Sequence, residues 1–262
     1  VTIHQHPPTE HRTPITNNRQ PTTNTHHHPL CQRLLPLDTL SHPPSLNHIQ
    51  RMNQLDTTVL LFINGMHNAF LDQFMWLISA KTVWIPFYLI TLWVVYRNRG
   101  VRGVISLALM IGIMMLFTDT LNASVIRPWI HRLRPTNLDN PISPLVHIVN
   151  GYRGGACGFP SAHAANYWGI TLLVAYMLRS KKALASLALL TLVICYSRSY
   201  LGVHYPGDLL AGIIYATVVS GLIVCLYSKY FENHEPFVKQ YEWLPAITAG
   251  LTLLVFAVIA LF

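Results

Sequence analysis

The sequence is short of charge: Asp, Glu, Lys and Arg make up only 11% of it, against 52% hydrophobic residues. Soluble domains carry roughly 25% charged residues. That scarcity excludes a freely soluble globular domain. Acids are scarcer than bases, 10 against 18, and the bases are not gathered on one polar face, which excludes a nucleic-acid-binding protein. They fall in short clusters between apolar runs (Arg97, Arg99, Arg102; Arg179, Lys181, Lys182), as in loops that flank membrane spans. Cys31, Cys157, Cys195 and Cys225 include no CxxC pair, so no disulfide framework or zinc site follows from their spacing.

Methionine is missing from the first 51 residues, and residue 1 is Val. Residues 1–51 also lack any apolar run worth burying, while they hold 8 of the 14 histidines and 8 of the 17 prolines. Such a stretch is expected to be a disordered tail, and it lacks the basic-then-apolar layout of a signal peptide. Its triplet His26, His27, His28 has no second ligand cluster at fixed spacing and reads as biased composition rather than a metal site. The functional protein is therefore expected to start at Met52, with residues 52–262 as one membrane domain.

Residues 58–80 mix apolar side chains with Asn64, Gly65, His67, Asn68 and Asp72, the pattern of two short amphipathic helices, broken near Gly65, on a membrane surface. A span needs about 20 apolar residues. Candidates are 76–96, 103–126, 164–178, 183–196, 208–228 and 244–262, the third and fourth extending into their polar flanks. The expected fold is all-α, a polytopic six-helix membrane bundle preceded by surface helices. Loops 97–102, 179–182 and 229–243 then share one side, and the first two are strongly basic. The positive-inside rule makes that side cytoplasmic. Segments 127–163 and 197–207 face outward together. Arg127, Arg132, Arg134 and Arg153 lie there against the rule, which points to service to a ligand.

Three motifs stand at this outer face: RPWIHRLRP with Arg127 and Arg134, GFPSAH with Ser161 and His163, and SRSYLGVHYPGD with Arg198, His204 and Asp208. Arginines are planar forks of donors that suit phosphoryl oxygens. Ser161 just precedes a span, so its hydroxyl and the following amides can form an anion-binding helix N-terminus. Asp208 is four residues beyond His204, a spacing that permits a hydrogen bond within one helical turn. It would fix the imidazole tautomer and favour the charged ring. The set points to phosphoryl transfer through a covalent histidine, with His204 attacking, Asp208 orienting it and His163 protonating the leaving oxygen. The outer loops offer only Asp139 besides Asp208, too few carboxylates for a two-metal site. No metal or cofactor is expected.

These motifs resemble those of the type 2 phosphatidic acid phosphatase superfamily, which also includes vanadium-dependent haloperoxidases. Its pattern is Lys-x6-Arg-Pro, Pro-Ser-Gly-His and Ser-Arg-x5-His-x3-Asp, and the likeness covers roughly residues 56–228. It implies a phosphohistidine nucleophile at His204, an orienting carboxylate at Asp208 and a general acid at His163. Phosphate binding falls to Arg127, Arg134, Ser161, the Ala162 amide and Arg198. Arg127 stands where the family has Lys, and Ala162 where it has Gly; neither change removes a chemical role.

The resemblance implies a membrane lipid phosphatase in a bacterial cytoplasmic membrane, its site facing outward, acting on undecaprenyl diphosphate, phosphatidylglycerol phosphate, phosphatidic acid or lipid A phosphates. Its partners are the lipid substrate and the bilayer. A haloperoxidase is disfavoured because those relatives are mostly soluble and larger. A transporter or non-catalytic lipid-phosphate binder would have no use for a nucleophile and acid pair. Asp119, in the second span, reads as a structural partner of an active-site arginine. His131 and His147 are expected to be solvent-exposed, Asp139 and Asn140 to form a turn, and Cys157 to be a packing residue.

Overall fold

The computed structural model describes residues 45–231 and 240–262, with side chains from residue 53 onward. Residues 1–44 of the expected tail lie outside the described residues. Among the described residues, α1 (Ser45–Asn64) begins directly after Pro44. No proline recurs before Pro86, so nothing interrupts the helical ladder there.

The expected break near Gly65 is present. The Gly65 amide closes α1 on Leu61 O at 2.8 Å, and Asn68 caps α2 (Ala69–Ser79) by accepting from Leu71 N at 2.9 Å. A 3₁₀ turn (Thr82–Trp84) leads into α3 (Ile85–Met115), which continues as a π-helical stretch (Leu116–Ile126) and α4 (Arg127–Ile130). Gly100, at φ 63° and ψ −166°, interrupts α3, a backbone conformation that glycine adopts without steric cost. Contacts on either side show that the chain doubles back there. Tyr88 and Arg99 meet Tyr167 and the Met177 carbonyl in rising order, whereas Thr118 and Asn122 meet Asn166 and the Pro160 carbonyl in falling order. Within the π-helical stretch, Thr118 and Asn122 bond back to the carbonyls of Met114 and Thr118, competition that loosens a regular α-ladder.

The remaining helices are α5 (Ala162–Leu178), α6 (Lys181–Tyr200), α7 (Pro206–Tyr230) and α8 (Leu244–Ile259). α5 is buried on nearly every side and packs on α3, α6 and α7, as expected of a helix without a polar face. Gly212 allows α7 to approach it, since a Cβ there would stand 2.5 Å from Ser161 O. On α7 the residues Leu210, Ile214, Val218, Leu222 and Leu226 are each about 60% exposed, one continuous apolar stripe at helical spacing. A soluble surface rarely tolerates such a stripe. Thr82–Ile130, Lys181–Tyr200 and Pro206–Tyr230 are long and apolar enough to cross a bilayer, and the protein is a membrane protein built from helices, with one isolated bridge among the described residues.

The expected grouping of loops is visible as two ends. At one, Asn98 donates to Gln240 O, Arg99 to Met177 O and Ser180 to Glu242. The other gathers the three motifs. α6 extends the expected span 183–196 through Tyr200, so Ser197, Arg198 and Ser199 lie buried on its last turn rather than in an outer loop.

Candidate active site

Motif placement begins with the connection 131–161. Leu133 and Cys157 form an antiparallel bridge, flanked by Arg134 N to Ala156 O at 3.0 Å and Gly158 N to Arg132 O at 2.9 Å. This short ladder lays the first motif beside the second. Ser161 is the N-cap of α5, its Oγ accepting from Ala164 N at 3.4 Å. That leaves the hydroxyl proton available to an incoming oxygen, and Ala162, as first helical residue, has an amide no helical bond uses. Ser161 N donates to Asp208 O at 2.9 Å, tying the second motif to the third.

His204 is completely buried in the link between α6 and α7. Three backbone-directed bonds hold that link: Val203 N to Arg198 O at 3.1 Å, Ser199 Oγ to His204 O at 3.2 Å, and Arg134 Nη1 to Val203 O at 2.9 Å. The same Arg134 Nη1 lies 2.8 Å from His204 Nε2. A guanidinium can only donate, so Nε2 accepts and the ring proton sits on Nδ1. Nδ1 faces Asp208 Oδ2 at 3.5 Å, an ion-pair separation longer than a formed hydrogen bond.

The predicted proximity of His204 and Asp208 is therefore present, but not within a helical turn. Gly202, at φ 68°, turns the chain before α7 starts at Pro206, and Asp208 Oδ2 accepts from Tyr205 N at 3.1 Å across the helix start. The expected charged ring is also corrected. Burial, with Arg134, Arg198, Arg127 and His163 nearby, holds the imidazole well below its ordinary pKa, so the unliganded ring is neutral.

Arg127 donates from Nε and Nη2 to Pro160 O at 3.3 and 3.2 Å. Asp119 is within electrostatic range of it. Arg198 donates to Ser79 Oγ and to Tyr152 OH, the latter at 3.3 Å, with its guanidinium 5.6 Å from the Tyr152 ring centre. Burial and repulsion from Arg127 and Arg198 push Arg134 down to about 9. Nε of Arg134 and Nε of Arg198 are buried without a hydrogen-bond acceptor. Such donors are costly unless something accepts from them. His163, half-buried on the first turn of α5, has Arg198, Lys81, Arg134 and Arg127 as its charged neighbours.

Of the four arginines in segment 127–163, two do not face this cage. Arg132 is held between Asp208 Oδ1 and Asp56 Oδ2, at 2.7 and 2.5 Å. Arg153 braces the connection 131–161 through Thr136 O and Ser143 Oγ. His147 is half-buried rather than exposed, paired with Asp72 at 2.8 Å and stacked on His67 at 3.9 Å. His131 is likewise half-buried, in a left-handed conformation that caps α4. Asn140 lies in the expected turn but is buried, bonding Arg134 O and Tyr205 OH. Cys157 is disulfide-bonded, not a simple packing residue, while Cys195 and Cys225 are free. Reasoning from sequence missed Asp56, Ser79, Tyr152 and Gly158. A Cβ on Gly158 would press on Asp208, Arg134 and His204 at 3.0 to 3.4 Å, so a glycine is required where the loop crosses the site.

The PAP2 superfamily profile matches residues 103–232. A lipid A 4′-phosphatase of Bacteroides thetaiotaomicron is 40% identical over 166 residues, which cover 63% of this chain and 74% of that protein. The chain belongs to the PAP2 superfamily. A second relative, a lipid A 4′-phosphatase of Porphyromonas gingivalis, is 29% identical over 66% of this chain and 73% of its own length. The crystal structure of a transmembrane PAP2-type phosphatidylglycerolphosphate phosphatase from Bacillus subtilis superposes with a TM-score of 0.54 at 22% identity, covering 71% of this chain and 90% of that one. The fold is thus a PAP2 membrane fold.

Proposed function

We propose that the protein is a membrane lipid phosphatase that hydrolyses a phosphate monoester on a lipid headgroup through a phosphohistidine. The observation that carries this reading is the cage of Arg127, Arg134 and Arg198 around a neutral His204, with buried guanidinium donors that lack acceptors. A phosphate dianion satisfies those donors and relieves the mutual repulsion of the arginines. Among the lipids considered, a lipid A phosphate is favoured, because two relatives carry that substrate in their names.

In the first step His204 Nε2 forms a bond to phosphorus while the bond to the lipid oxygen breaks and His163 gives that oxygen a proton. Arg134 Nη1 must leave Nε2 and turn to a phosphate oxygen. In the second, His163 takes a proton from water, water oxygen bonds to phosphorus, and the P–N bond breaks to free inorganic phosphate. The purified protein should release phosphate from detergent-solubilised lipid A phosphates faster than from phosphatidic acid or phosphatidylglycerol phosphate. It should do so undiminished in EDTA, and vanadate should inhibit by taking the trigonal geometry of the transition state. Loss of activity in EDTA with recovery on adding magnesium would overturn the arginine-based mechanism.

The finer topology belongs to the same proposal. Gly100 divides one long helix into two spans, which with α5, α6, α7 and α8 makes six, while α1 and α2 lie at the surface on the side of the site. The basic loops 97–102 and 179–182 are cytoplasmic, and the site faces the outside of a bacterial inner membrane. In a protein lacking Cys195 and Cys225, an impermeant thiol reagent applied to spheroplasts should label a cysteine at Leu145, which is 69% exposed, and not one at Lys181. The reverse pattern would invert the topology.

A further inference from the structure

Asp56 projects from α1, far in sequence from all three motifs, yet it closes a chain of charges that ends at the nucleophile. Its Oδ1 accepts from Gly207 N at 2.7 Å and its Oδ2 from Arg132 Nη2 at 2.5 Å. Arg132 Nη1 in turn donates to Asp208 Oδ1 at 2.7 Å, and Asp208 Oδ2 faces His204 Nδ1 at 3.5 Å. The approach is built in. A Cβ on Gly207 would stand 2.7 Å from Asp56 Oδ2, so glycine there lets the carboxylate come this close. Arg132 also lies over Tyr205, its guanidinium carbon 4.1 Å from the ring centre, and Tyr205 OH is fixed by Asn140 at 3.1 Å. The guanidinium therefore has one position, between two carboxylates.

We propose that Asp56 is a positioning residue for catalysis: by sharing Arg132, it preserves the negative charge that Asp208 presents to His204. One guanidinium between two carboxylates leaves the trio a net negative charge. Without Asp56, Arg132 would neutralise Asp208 alone. The need for that charge appears only during reaction, because bonding of Nε2 to phosphorus turns a neutral ring that carries its proton on Nδ1 into a cation. A carboxylate facing Nδ1 stabilises this cation more than the neutral ring, which is the differential stabilisation that raises kcat. Binding of phosphate to the arginine cage requires no negative charge there.

The proposal rests on the phosphohistidine reading, and the two fail separately: loss of the nucleophile is read from His204→Ala, whereas this test keeps His204. Asp56→Asn preserves size and an oxygen for Gly207 N, removing only the charge. It should lower kcat roughly 10-fold, an effect the size of one electrostatic contact, while KM and the inhibition constant for inorganic phosphate stay within about 2-fold. In an Arg132→Gln background the same substitution should change kcat less than about 2-fold, because the residues act as one unit. Asp56→Ala, which also drops the Gly207 bond, should add a loss of thermal stability without a further fall in kcat of the folded fraction. An unchanged kcat in Asp56→Asn, a parallel rise in KM and in the phosphate inhibition constant, or a full multiplicative loss on top of Arg132→Gln would each overturn it.

Discussion

Replacing His204 by Ala is expected to reduce turnover at least about 1,000-fold, since removal of a covalent nucleophile costs orders of magnitude. The fold should survive. Although His204 is fully buried, its link is held by Val203 N to Arg198 O, Ser199 Oγ to His204 O and Arg134 Nη1 to Val203 O, none of which needs the imidazole. The small cavity left among arginines is polar and can take water. Inorganic phosphate should still bind, because the cage of Arg127, Arg134 and Arg198 is intact. Brief reaction with a ³²P-labelled lipid phosphate, quenched in alkali, should leave label on wild-type protein and none on the variant. A variant that keeps more than about a tenth of the rate, or that still takes up base-stable label, would remove His204 from the nucleophile's role.

The seven charged or hydroxyl residues of the motifs were legible because each motif carries its own spacing, and short-range spacing survives into structure. Arg127 and Arg134 flank one turn, and Ser161 and His163 open one helix. What was not legible depends on distance along the chain. Arg132 and Arg153 look like Arg127 and Arg134 in sequence, and only the position of Asp56, 76 residues before Arg132, shows that Arg132 is already neutralised. Tyr200 and His147 meet at Asp72 from 128 and 75 residues away, so no local pattern marked His147 as half-buried. The four-residue spacing of His204 and Asp208 gave the right neighbours for the wrong reason, because a helix and a tight turn followed by a helix start both bring such residues together. A hydropathy window placed six apolar segments near their observed helices, but it could not carry α6 through Ser197, Arg198 and Ser199. Those residues are polar in the sequence and buried in the bundle, their hydroxyls satisfied by carbonyls and the two Nη atoms of Arg198 by Ser79 and Tyr152.

His163→Ala should separate the two chemical steps. His163 sits on the first turn of α5 beside the cage, where a single imidazole can reach both the leaving oxygen and, later, the attacking water. A lipid or sugar alkoxide is a strongly basic leaving group that needs a proton as the P–O bond breaks, so the variant should lose about 100- to 10,000-fold on a lipid monoester, the range of general acid catalysis. A nitrophenolate or a phosphate leaving from a diphosphate needs little protonation. With p-nitrophenyl phosphate or undecaprenyl diphosphate the first step should fall no more than about 10-fold, whereas hydrolysis of the phosphohistidine, which needs His163 as base, remains slow. The variant should therefore release one equivalent of nitrophenol in a burst and then stall with labelled enzyme accumulated, a state through which the wild type passes only transiently. Equal losses on both kinds of substrate, with no burst and no accumulated phosphoenzyme, would mean that His163 binds phosphate rather than moving protons.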